Sequence, residues 1–270
     1  MDDRPIGVFD SGLGGLTTVR ELCRLLPEED IVYFGDTGRV PYGSRSRETI
    51  VKYARQDVAF LRTFDLKTIV IACGTVSTTA LDVLAAENPI PVLGVVAPAA
   101  RAAARATRSG SIGLIGTQAS IRSGAYERLI RAENPAARVL AQPCPLFVPL
   151  VENGRFRPGD VVIETVAAEY LAPLREAGVD TLVLGCTHYP LLEKVIGAYM
   201  GPEVRLINSG AEGARAAADC LRERDALAGP GRGSCRCFVS DRQEDFSRLA
   251  STFLCWDVAQ AVEQVDISQY

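Results

Sequence analysis

Two cysteines and the chain's only histidine carry the chemistry that spacing alone can suggest. Leu182-Val183-Leu184-Gly185-Cys186-Thr187-His188-Tyr189-Pro190 joins an apolar run to a thiol, an imidazole and a proline suited to the first turn of a helix. Lys67-Thr68-Ile69-Val70-Ile71-Ala72-Cys73-Gly74-Thr75 repeats the plan, with a helical pattern starting at Ser77. A thiolate is a nucleophile or a base once a base, a cation or a helix N-terminus activates it. Two thiols on opposite faces of one substrate carbon would remove one proton and return another, inverting a stereocentre. Two buried structural cysteines are the plainer alternative. The imidazole reaches Cys186 only if the chain turns there; it would then activate the thiol or protonate a substrate carboxylate. Asp10 could play the matching part beside Cys73.

These residues need elements to hold them. Both cysteines end runs with the length and branching of buried strands, at the edge where open α/β sheets bind ligands. Gly7-Val8-Phe9-Asp10-Ser11 also resembles Gly113-Leu114-Ile115-Gly116-Thr117, so two related halves would each contribute one cysteine. Residues 6–9 read as a strand leading through Ser11-Gly12-Leu13-Gly14-Gly15 into a helix over about 16–26. That glycine spacing is not a dinucleotide fingerprint, and Asp10 would repel a phosphate, so a small amino- or carboxyl-bearing ligand is expected. A second strand ends at Gly35-Asp36, ahead of the punctuated loop Pro41-Tyr42-Gly43-Ser44; alone, Asp36 reads equally as a turn former and Tyr42 as a rim aromatic. Ile50, Ala54, Val58 and Leu61 mark a helix. The proline-rich run from Pro143 to Glu152 reads as a shaped loop, Glu152 being either solvated or turned to a cleft. Asp160 caps a long helix that returns the chain to the Cys186 strand.

Bulk properties bound the rest. The 270 residues suit one large or two medium domains, and a net charge of −4 without a basic cluster gives nucleic acid no obvious footprint. An absent signal region and the lack of any apolar run of about 18 residues point to the cytosol rather than a membrane. The eight cysteines are too dispersed for a secreted disulfide framework. Cys235-Arg236-Cys237 lacks the second ligand pair of a zinc site, so no metal is expected.

Taken in order, Asp10 to Gly15, Phe34-Gly35-Asp36, Pro41-Tyr42-Gly43, Ala72-Cys73 with Thr75, Pro145 to Glu152, and Gly185 to Pro190 resemble the glutamate racemase family over essentially the whole chain. The resemblance implies an α/β fold of two similar three-layer domains with mostly parallel sheets, related by a pseudo-twofold, with the site in the cleft between them. The domains would be residues 1–98 with 207–270, and residues 99–206. It implies cofactor-independent interconversion of L- and D-glutamate for peptidoglycan synthesis, in a homodimer. Cys73 would deprotonate D-glutamate and Cys186 L-glutamate, assisted by Asp10 and His188. Asp10, Ser11, Tyr42, Gly43, Thr75, Thr187 and His188 would hold the substrate, with Asp36, Glu152 and Thr117 in support. Gly74 departs from the asparagine usual at this substrate-binding position, and Cys255 from a frequent glycine. Rival readings are a racemase of the same fold acting on aspartate or another amino acid, a cysteine hydrolase using Cys186 and His188, and a non-catalytic amino-acid- or partner-binding protein, such as a topoisomerase modulator.

Overall fold

The computed structural model describes residues 1–254 and 262–270, the side chains of 244, 245 and 248 excepted; Cys255 lies outside the described residues. The strands, in chain order, are β1 (Ile6–Asp10), β2 (Ile31–Gly35), β3 (Thr68–Ile71), β4 (Val92–Gly94), β5 (Ser111–Gly116), β6 (Arg138–Pro143), β7 (Thr181–Leu184), β8 (Arg205–Asn208), β9 (Cys235–Val239) and β10 (Val262–Gln264). Every residue of β1, β2, β3 and β7 is buried, as expected of apolar runs in parallel sheets covered by helices on both faces. All the strand pairings are parallel.

They form two sheets, ordered β10-β9-β2-β1-β3-β4 and β6-β5-β7-β8. Both contain the same local order, second-first-third-fourth, so β1 corresponds to β5 and β3 to β7. The repeated order gives the similarity between residues 7–11 and 113–117 its structural form. β8 straddles the point between residues 206 and 207 where the sequence suggested a return to the first half, and β9 and β10 complete the first sheet. The helix Leu16–Leu25 after β1 packs on the helix Ser209–Glu223 after β8, which joins the two halves behind the site.

One segment differs from expectation. The run from Pro143 to Glu152 is the end of a strand followed by a helix, Phe147–Glu152. Pro143 closes the edge strand β6, where a missing N–H is tolerated, and Pro149 sits in the helix's first turn, where none is needed. Asp160 does cap its helix, accepting from the Val162 N–H at 3.0 Å. Among the described residues no helix is long and apolar enough to cross a membrane.

Candidate active site

The two corresponding strands β3 and β7 deliver their cysteines to one cavity of about 380 Å³. Cys73 is the N-cap of the helix Gly74–Thr79. After β7 the chain turns through Cys186, Thr187 and His188 into the 3-10 helix Tyr189–Leu192. The turn brings Nδ1 of His188 to 3.9 Å from Sγ of Cys186, while Nε2 donates to Oε1 of Glu152 at 2.9 Å. An aromatic core fixes it from behind: the Tyr189 ring lies edge-on to Phe147 at 5.3 Å, and its hydroxyl donates to the Cys144 carbonyl at 3.0 Å. On the other side Sγ of Cys73 lies 3.4 Å from Oγ of Ser11.

Hydroxyls cross the seam between the halves. Oγ1 of Thr75 and Oγ1 of Thr117 are 3.0 Å apart, and Thr187 donates to Oδ1 of Asp10 at 3.3 Å. The glycine loop permits this closeness. A Cβ on Gly14 would lie 2.5 Å from Nδ1 of His188. Gly14 therefore packs against the second half, whereas the sequence suggested a loop given over to a ligand. Gly74 is equally tight, since a Cβ there would lie 2.6 Å from the Gly185 carbonyl oxygen.

Of the residues singled out in the sequence, Ser11, Tyr42, Gly43, Cys73, Gly74, Thr75, Thr117, Glu152, Cys186, Thr187 and His188 line the cavity. Asp10 and Asp36 do not. Asp10 is buried behind the wall, where the Gly12 N–H donates to Oδ2 at 3.0 Å. Asp36 is buried beneath the loop before Tyr42, accepting from Arg39 and Ser240. The Tyr42 hydroxyl points the same way, to Asp36 and Asp57, so it is engaged away from the cavity.

The electrostatics of the two sides differ. Burial pushes the Cys73 thiol up to about 12, with the negative charge of Asp10 adding to it. Burial raises the Asp10 carboxyl too, against the pull of His188 and of N–H donors from Gly12 and Gly15. Burial alone would lower His188, but its contacts with Cys186 and Glu152 outweigh that and carry it up to about 10. These contacts favour the protonated imidazole beside Cys186, and among the described residues no cation lines the cavity beside Cys73. Among the described residues, none that lines the cavity is lysine or arginine. A carboxylate ligand must therefore be met by hydroxyls, backbone N–H groups and His188. Sequence reading missed Asp57, whose one sign is an acid on the apolar stripe of the helix Arg47–Leu61. It also missed Gln118, Cys144 and Val148 on the wall, which sequence does not distinguish from loop or core residues.

A cleft between two α/β halves of the same strand order presents Cys73 and Cys186 from corresponding positions, with Cys144 also on its wall, an arrangement suited to proton transfer. Residues 9–217 match the Asp/Glu/hydantoin racemase family model. The glutamate racemase of Geobacter metallireducens is 49% identical over 255 residues, 94% of each chain. Among solved structures, a glutamate racemase isoform from Bacillus anthracis superposes with a TM-score of 0.93 at 38% identity, covering 98% of each chain. The glutamate racemase from Francisella tularensis, crystallised with D-glutamate, gives 0.92 at 37% identity over 100% of each. The chain belongs to the glutamate racemase family.

Proposed function

We propose that this protein interconverts L- and D-glutamate by two-base proton transfer at Cα, with Cys73 and Cys186 as the two acid/base groups. The observation that carries the reading is that equivalent positions of two duplicated halves present one thiol each to a single cavity. In the L-to-D direction Cys186, as thiolate beside the His188 imidazolium, removes the Cα proton, and the Cys73 thiol delivers its own proton to the opposite face. The D-to-L direction reverses the roles. Base and acid both come from the chain, so the reading requires no cofactor.

The carbanion formed at Cα is stabilised by neutralising its carboxylate and by preorganised donors. Ser11, Thr75 and Thr117 place hydroxyls on the wall, Thr187 gives its own proton to Asp10, and the 42–44 segment lines the same wall. Asp10 acts from behind the wall, holding Thr187 and, through its Gly12 contact, the loop that carries Ser11. Glu152 orients the imidazole. Asp36 supports the wall indirectly through Tyr42. We further propose a homodimer in the cytoplasm that supplies D-glutamate for peptidoglycan, and a chain divided into residues 1–98 with the C-terminal return, and residues 99 to the end of β8.

The test is Cα proton exchange in D2O from each enantiomer separately, on wild type, Cys73→Ser and Cys186→Ser, with no cofactor added. The reading expects deuterium incorporation with inversion in the wild type and a loss of about 10³-fold or more in each variant. Exchange with aspartate but not glutamate would move the substrate, and no exchange at all would sink the enzyme reading.

A further inference from the structure

The helix Arg47–Leu61 buries Ile50, Ala54, Val58 and Leu61, and Asp57 falls on the same stripe, wholly buried. A carboxyl placed there is costly unless it is partnered. Its partners come from the segment that walls the cavity. Nη2 of Arg39 donates to Oδ1 of Asp57 at 2.8 Å, Nε donates to Oδ2 of Asp36 at 2.6 Å, and Nη1 donates to Oε1 of Gln56 at 2.6 Å. The guanidinium also lies 4.3 Å over the Tyr53 ring. Oη of Tyr42 contacts Oδ2 of Asp36 and sits 3.1 Å from Oδ2 of Asp57. Ser240 donates to the other Asp36 oxygen at 2.7 Å.

The protons in this cluster can be counted. Two carboxyls share one guanidinium, and a tyrosine hydroxyl with a single proton faces both. Burial first, and the charge of Asp36 next, push the Asp57 carboxyl well above the usual carboxylate range. The network closes when Asp57 is the neutral acid, donating to Oη of Tyr42, while Tyr42 donates to Asp36. Every acceptor then has a donor. On the far side of this network, Val40, Pro41, Tyr42, Gly43 and Ser44 are five consecutive residues of the cavity wall.

We propose that Asp57 is a positioning residue for substrate binding: by holding Arg39 and the Tyr42 hydroxyl it fixes the 40–44 wall against which the substrate's carboxyl groups are bound. This rests on the function proposed above. Asp57 touches neither the cavity nor the thiols, so its effect falls on binding common to both enantiomers and not on the proton-transfer step.

The experiment compares Asp57→Asn with Asp57→Leu, measuring KM and kcat from both enantiomers, glutamate affinity by calorimetry and thermal unfolding. Asparagine offers an N–H to Tyr42 and an oxygen to Arg39, reproducing the neutral acid, and should keep KM within about threefold of wild type. Leucine breaks the link and should raise KM for both enantiomers together, by about tenfold or more, while kcat stays within about threefold. Should Asp57→Leu not fold, Arg39→Gln cuts the same link from the loop side and is held to the same KM criterion. A folded Asp57→Leu with wild-type KM, a loss confined to kcat, or an asparagine variant as impaired as the leucine one overturns the inference while leaving the racemase reading intact. A wild type that neither binds nor racemises glutamate overturns the functional reading and the inference with it.

Discussion

Substituting Gly74 acts directly on the distance between the two cysteine-bearing segments. Gly74 adjoins Cys73, Gly185 adjoins Cys186, and a Cβ at position 74 would stand 2.6 Å from the Gly185 carbonyl oxygen. Ordinary contact requires roughly 0.8 Å more. The obstacle is backbone, tied into the second sheet by the Gly185 N–H donating to the Ile115 carbonyl at 2.8 Å. The segments must therefore part, and the two sulfurs with them. A misplacement near 1 Å costs a reaction between positioned groups on the order of 10²-fold. Overpacking of this size costs about 1–3 kcal/mol in stability, which a chain of this length survives. Gly74→Ala should thus fold and lose about 10²-fold in kcat/KM for Cα proton exchange, mostly in kcat. Gly74→Asn carries the same Cβ but adds the amide usual in the family, so its KM should be no worse than that of Gly74→Ala. The assay is deuterium incorporation from both enantiomers, with circular dichroism as the check on folding. A folded Gly74→Ala variant within about threefold of wild type would refute the idea that this contact sets the spacing.

Three further expectations concern charge. His188 is carried from 6.5 up to about 10 in the folded chain, so its contribution to stability is complete below about 6.5 and is lost as pH rises towards 10. His188→Gln should flatten the decline in stability over that window, and an unchanged slope would contradict the imidazolium assignment. Glu152→Gln removes the negative charge on the Nε2 partner and should move the alkaline limb of kcat/KM down by about one pH unit; an unmoved limb would show that another group sets it. Lys67 is buried beside Glu29 and donates to the carbonyls of Asp2 at 2.7 Å and Ala226 at 3.0 Å. Lys67→Met strands the Glu29 charge, and urea unfolding should show a loss of about 3–5 kcal/mol; a loss below about 1 kcal/mol would mean the pair is dispensable.

The sequence was most legible where one element decides the outcome. The runs ending at Cys73 and Cys186 are apolar throughout because parallel strands are covered on both faces, and they read as strands without further help. The similarity of residues 7–11 to 113–117 anticipated the repeated strand order. Where partners lie far along the chain, composition was silent. Asp36 is held by Ser240, 204 residues away, so nothing local shows that it lies beneath the wall and outside the cavity. Tyr42 sits in a loop of functional character, but the direction of its hydroxyl depends on Asp57 across a helix. The three prolines between Pro143 and Pro149 suggested irregular chain, because a proline in the first turn of a helix and one in a loop look alike until the helix is seen.

The depth at which Cys73 lies also gives the proposed reaction a direction in time. An inversion that takes a proton on one thiol and releases one from the other leaves the protein in the opposite protonation form from the one in which it began. After an L-to-D turnover the bare sulfur is Cys73, in surroundings that carry its thiol up to about 12. For the next L-to-D turnover water must return a proton to Cys73 and take one from Cys186. Until it does, the empty protein retains a memory of the enantiomer it last released and is poised to accept that product again. The burial of the Cys73 sulfur thus bears on how quickly the protein forgets.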